Sequence, residues 1–149
     1  MPSKATIIAA ATAVIVLAAG GLAYFLTRPT EPTTFTGGGV ITLMPESPFA
    51  TTRVKFGQDD ACEGTEGYSD LRQGTQVAVR DASNKLVSIG KIGTGMANPK
   101  IQRACDLNFY APDIPIGAGP FTVTIGNRPP AAASEKDLRS QEAYFSIGD

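Results

Sequence analysis

Residues 5–27 (ATIIAAATAVIVLAAGGLAYFLT) run for 23 positions without a charge, between Lys4 and Arg28. At about 1.5 Å rise per helical residue such a run spans roughly 34 Å, enough to cross a hydrocarbon core of about 30 Å with some tilt. The run therefore predicts a transmembrane signal anchor and a single-pass membrane protein. The alternative is a cleaved secretory signal, for which Gly21-Leu22-Ala23 would supply small residues at the cleavage point. The apolar segment of such signals is typically about 7–15 residues, shorter than this one. No Cys near its end offers a lipid anchor, and Pro2 precludes N-myristoylation. Lys4 and the terminal amine on one side, against Arg28 with Glu31 nearby on the other, place residues 1–4 in the cytoplasm and the remainder outside. Within the anchor, Gly20 and Gly21 beside Ala18, Ala19 and Ala23 make a small-residue surface on which another helix can approach closely.

Cys62 and Cys105 are the only two cysteines, and both fall in the exported part. In an oxidising compartment an even pair reads as a disulfide. Free or metal-binding thiols are the competing reading, but the chain has no His, which leaves a poor soft-metal set. Beyond the anchor, 12 Lys or Arg face 14 Asp or Glu, a formal charge of −2 with no basic block. This argues against nucleic acid as a partner. What remains outside suits one domain rather than two.

Residues 28–39 (RPTEPTTFTGGG) lack any periodicity and read as a Pro/Thr/Gly-rich linker, with Gly37 to Gly39 as a flexible hinge. From residue 40 to 149 the dominant pattern is period two. Val54 and Phe56 alternate with Arg53 and Lys55, and Phe121, Val123 and Ile125 alternate with Thr122 and Thr124, as in half-buried strands. Val77 and Val79, the turn residues 81–85 and the apolar run from Leu86 predict a hairpin. Further strands are expected at residues 40–43, at 105–110 with Leu107 and Phe109 inward, and at 143–147. Gly93-Thr94-Gly95, Asn98-Pro99, residues 117–119 and residues 127–130 serve as breaks. Ser134 followed by Asp137 approximates a capping box and predicts one short helix over residues 134–140. The expected fold is all-β, a small antiparallel immunoglobulin-like β-sandwich with one short helix and one disulfide.

The spaced set Cys62-Glu63-Gly64-Thr65-Glu66-Gly67-Tyr68-Ser69-Asp70-Leu71, Gly74-Thr75-Gln76-Val77, Asp81, Gly90, Cys105 and Arg128 ahead of residues 134–138 resembles a family of uncharacterised actinobacterial exported proteins, membrane-anchored or lipid-anchored. The resemblance covers roughly residues 56–149. It implies a small extracytoplasmic β domain with a disulfide and carries no activity to any residue. Asn84 and Lys85 stand in a turn where that pattern would have a Gly.

A chain without His has no Ser-His-Asp or Cys-His relay, no His-ligated zinc and no imidazole base, so an enzyme is not expected and no catalytic residue is assigned. The densest polar feature is Asp59, Asp60, Glu63, Glu66 and Asp70, five carboxylates within twelve residues. Oxygen clusters on turning loops suit calcium, but the order is not that of an EF-hand loop, and a solvated loop pinned by Cys62 is the plainer reading. No cofactor is expected beyond that candidate. Tyr68, Phe109 and Tyr110 are candidates for a partner-contact surface, against the alternative that they fill the core. Together these readings give a membrane-anchored extracytoplasmic interaction domain, held by the lipid bilayer and contacting another cell-envelope protein. The alternatives are a binder of a small ligand, lipid or cell-wall glycan, a calcium-stabilised domain, and last a metal-dependent enzyme.

Overall fold

The computed structural model describes residues 33–47 and 53–148. The anchor reading for residues 5–27, including Gly20 and Gly21, falls outside them. Among the described residues no helix is long and apolar enough to cross a membrane.

Among the described residues the domain has nine strands, one short α-helix and a single 3-10 turn. The strands are β1 (Thr34–Leu43), β2 (Val54–Phe56), β3 (Ala61–Gly64), β4 (Gln76–Arg80), β5 (Leu86–Ala97), β6 (Cys105–Pro115), β7 (Phe121–Ile125), β8 (Ala131–Ala133) and β9 (Ala143–Ile147). The helix, α1, is Glu135–Ser140. One barrel-like sheet runs in the order β8-β7-β4-β5-β6-β1-β9, and β2 with β3 extends it from β5. The expected mostly-β fold, short helix and disulfide are all present. The pairing is antiparallel throughout except between β1 and β9, which run parallel with Gly39 opposite Ala143 and Leu43 opposite Ile147.

The linker expected over residues 28–39 stops short. Gly37 to Gly39 are buried in the middle of β1 rather than forming a hinge. A Cβ on Gly39 would lie 2.1 Å from the Ala143 carbonyl oxygen, and one on Gly37 would lie 2.6 Å from the Ile114 side chain. Neighbouring backbone at Gly38 and Gly39, and the Ile114 side chain at Gly37, occupy the space a side chain would need. Gly93 and Gly95 likewise do not break the chain. They form an irregularity inside β5, where the register with β6 shifts between Ile92 and Gly95.

The period-two signal holds where strands are central. Val77, Val79, Leu107, Phe109, Phe121, Val123 and Ile125 all face the core. It fails on β2, where Val54 is buried but Phe56 is exposed, in a three-residue strand that pairs only with β3 among the described residues. The helix starts where expected. The Ser134 hydroxyl accepts the Asp137 N–H at 3.1 Å, and Gln141, in the left-handed region, caps its end. Leu138 is its one buried residue.

Cys62 of β3 and Cys105 of β6 form the disulfide, with Cα atoms 5.9 Å apart and a sequence separation of 43. Gly95 lies against it: a Cβ there would meet the Cys62 carbonyl oxygen at 2.3 Å and the Cys105 sulfur at 3.0 Å. Beside it, the fully buried Thr42 donates to Asp106 at 2.6 Å, and Asn98 donates to both Asp106 carboxylate oxygens at 2.9 Å. The same Asn98 accepts the N–H groups of Lys100 and Ile101, so one side chain shapes the turn between β5 and β6.

In the β4–β5 hairpin loop, Asp81 accepts from the Ser83 hydroxyl at 2.7 Å, the Ser83 N–H at 2.9 Å and the Lys85 N–H at 3.0 Å. The Ser83 hydroxyl, followed by the Lys85 N–H, holds its carboxyl below the usual value.

Three outcomes are expected. The Cys62→Ala/Cys105→Ala double variant should lose about 4 kcal/mol of unfolding free energy in urea titrations, the loop-closure value for a ring of this size. Gly39→Ala should lose about 3 kcal/mol or more in the same assay, because its methyl group has no volume to enter. A carboxyl lowered on folding stabilises the domain above its unfolded pKa and ceases to do so as pH falls through the folded one. Wild type should therefore exceed Asp81→Ala in stability at neutral pH, and the gap should close below about pH 3.8 in parallel melts.

Candidate functional site

Between β3 and β4 the chain makes a single 3-10 turn, Glu66–Tyr68, held by the Tyr68 N–H to the Thr65 carbonyl at 2.9 Å and anchored by the fully buried Leu71. This turn lifts Tyr68 over the end of the barrel. Arg128, in the loop from β7 to β8, lies over its ring at 4.8 Å, and Arg53, just before β2, lies at 5.3 Å. Arg128 donates through Nη2 to Asp70 Oδ1 at 2.6 Å and to the Gly67 carbonyl at 3.3 Å. Its Nε is buried and has no hydrogen-bond partner among the described residues. Arg53 donates through Nη1 to the carbonyl of Gly148, just after β9. Two guanidinium groups, one phenol ring and one carboxylate thus tie the loops after β3 and β7 to the end of β9.

This cluster stands at one end of a groove of about 600 Å³ between β8 and β9. Ala131 and Ala132 line one side, Tyr144, Phe145 and Ile147 the other, with Arg128 at the mouth. In the strand order β8 and β9 are the two ends of the path, each hydrogen-bonded to one neighbouring strand only among the described residues. The groove is the seam of the barrel, and two strand edges with unpaired main-chain donors and acceptors border it. The helix α1 carries the chain from one edge to the other. Tyr144 is the most exposed large apolar side chain described, at 58 %.

The sequence-derived candidates disperse. Asp59 and Asp60 form the exposed tip of the β2–β3 turn, both with positive φ. Glu63 faces Lys55 at 3.9 Å, and Asp70 is committed to Arg128. No three Asp, Glu, Cys or His side chains converge as a metal-ligand set among the described residues. Of the three candidate partner-contact aromatics, Phe109 is fully buried against Phe145, with ring centroids 6.0 Å apart, and cannot meet a partner in the folded domain. Tyr110, next in the strand, points to the opposite face and is half-exposed, while Tyr68 lies between its two arginines. Alternation along β6 therefore divides a set that had been grouped by residue type.

Sequence reasoning missed Arg53 and Tyr144 as site residues, and Arg128 entered only as part of a spaced pattern. Asp70 and Arg128 are 58 residues apart, and no local signal links them. A smaller cleft of about 230 Å³ lies by the disulfide, bordered by Lys55, Glu63 and Thr94. No protein-family model matches the chain, and no curated protein or solved structure shows a significant match to it.

The half-buried Arg128–Asp70 pair should behave as a coupled unit. A double-mutant cycle with Arg128→Met and Asp70→Asn is expected to give a coupling energy of about 1 kcal/mol by thermal or urea unfolding.

Proposed function

We propose that this chain is a single-pass membrane protein whose extracytoplasmic domain works by binding rather than catalysis, with another cell-envelope protein as its partner and the β8–β9 seam as the contact. One observation carries the reading. Two strand edges of a single sheet border one apolar groove, an arrangement that accepts an extended segment by strand addition, with main-chain hydrogen bonds for affinity and side-chain pockets for selectivity. The disulfide between Cys62 and Cys105 supports an oxidising compartment. The uncharged run of residues 5–27 supports the anchor, with residues 1–4 in the cytoplasm. Membership of the actinobacterial exported family is part of the same proposal. So is a two-layer, immunoglobulin-like grouping of the curled sheet, for which the edge-to-face contact of Phe35 on β1 with Phe121 on β7, at 6.4 Å, is the support.

A second reading uses the same groove. Its volume, its apolar lining and the exposed ring of Tyr144 suit a small apolar ligand or a glycan face.

A photo-crosslinking residue placed at Ala132 or at Tyr144 in the full chain, in intact cells, separates the two. A discrete protein adduct from both positions and none from Lys100, on the turn between β5 and β6, is the outcome expected of a protein partner. Adducts from Lys100 alone would overturn the seam as the contact, and a small-mass adduct at Tyr144 would favour the ligand reading.

A further inference from the structure

Seven large apolar side chains are exposed among the described residues, and five of them come from β5, β6 and the turn that follows β6: Leu86, Ile89, Tyr110 and Ile116, with Met96 apart from them at the other end of β5. Ile89 and Tyr110 are about half exposed, at 49 % and 50 %. Pro112 joins them, bordering two shallow depressions that both also include Ile89. The outer face of this hairpin is thus apolar where a solvated sheet would alternate to polar residues.

The register places this patch at a definite end of the barrel. Thr34, the first residue of β1, pairs with Pro115, and Tyr110 pairs with Lys91. The start of β1, Leu86 at the start of β5 and the last residues of β6 therefore share one end, and the Ile116 N–H donates to the Thr33 carbonyl there. Only six residues, 28–33, separate β1 from the uncharged run. Fully extended they reach about 20 Å, less than the length of an ordinary domain, so on the membrane-anchor reading this end of the barrel stays beside the bilayer.

We propose that the apolar face of Leu86, Ile89, Tyr110 and Pro112 rests on the lipid bilayer, seating the rings and branched side chains at the level of the headgroups. Tyrosine is suited to that boundary, with an apolar body and a polar tip. Lys91 lies within the patch and Lys85 precedes Leu86, two cations for lipid phosphates against the carboxylate of Asp113. The inference rests on residues 5–27 spanning the membrane and is independent of what fills the seam.

The chain contains no Trp, so one introduced indole reports alone. Full-length Ile89→Trp, Tyr110→Trp and Met96→Trp variants are reconstituted into phosphatidylcholine and phosphatidylglycerol liposomes, with and without acyl-chain bromination. Met96 is also exposed on β5 but lies at its far end, opposite Asp106. Shallow insertion predicts that bromination lowers the Ile89→Trp and Tyr110→Trp emission by about half, with little change for Met96→Trp. Equal emission with and without bromination at both patch positions, in protein that floats with the liposomes, would overturn the inference and leave the anchor standing. Uniform quenching of all three would also overturn it, since the patch would then be no closer to lipid than the far end. Failure to float after carbonate extraction would remove the anchor reading and the inference with it.

Discussion

Strand β1 is the constraint on which the rest of this domain depends. Among the described residues it is the only strand that joins β9 to the sheet, pairing with it in parallel while pairing antiparallel with β6. Three consecutive glycines make that double engagement possible. Backbone from Ala143 and Phe109 and the side chain of Ile114 occupy the positions where Cβ atoms would stand. Val40, Ile41 and Leu43 then resume ordinary strand packing, and the buried Thr42 is satisfied by Asp106 rather than left as an orphan hydroxyl. With β9 held in this way, the sheet ends at two edges that face one groove. With α1 spanning from β8 to β9, those edges remain near each other without hydrogen-bonding.

The opposite constraint acts near Arg128. An edge strand of three alanines, β8, has little side-chain volume to fix its position. Its approach is set instead by the preceding loop, where Arg128 is stacked on Tyr68 and paired with Asp70. Arg53 does the equivalent for the far end of β9 through the Gly148 carbonyl. Tyr68 thus serves both edges, and the width of the groove depends on a small cationic and aromatic assembly rather than on the core. Such an assembly is stiff but not closed, since the guanidinium Nε of Arg128 still lacks an acceptor.

Much of the fold was legible in the residues, and the failures share a cause. Alternation identified β4, β6, β7 and β9 because each packs one face on a core, and the Ser134–Asp137 capping pair located α1 because caps are local chemistry. Gly37 to Gly39 and Gly95 read as hinge and break because sequence shows flexibility where tertiary structure uses absence of volume. The disulfide followed from parity. The candidate site was far less legible: Asp70 and Arg128, Arg53 and Gly148, and the two edges of the seam meet only through topology. Grouping Phe109 with Tyr110 by residue type failed for the elementary reason that neighbours in a strand face opposite sides.

The parallel pairing of β1 with β9 also has a bearing on biogenesis. Gly39 finds Ala143 only when more than a hundred further residues have been made. During synthesis the first strand therefore waits, glycine-rich and with both edges bare, while the β4–β5 hairpin can form at once from neighbouring residues. The second edge of β1 is covered only once β9 has been made. A chain cut short before residue 143 would retain most of its apolar side chains and yet lack the strand that covers the second edge of β1, so the seam could not form.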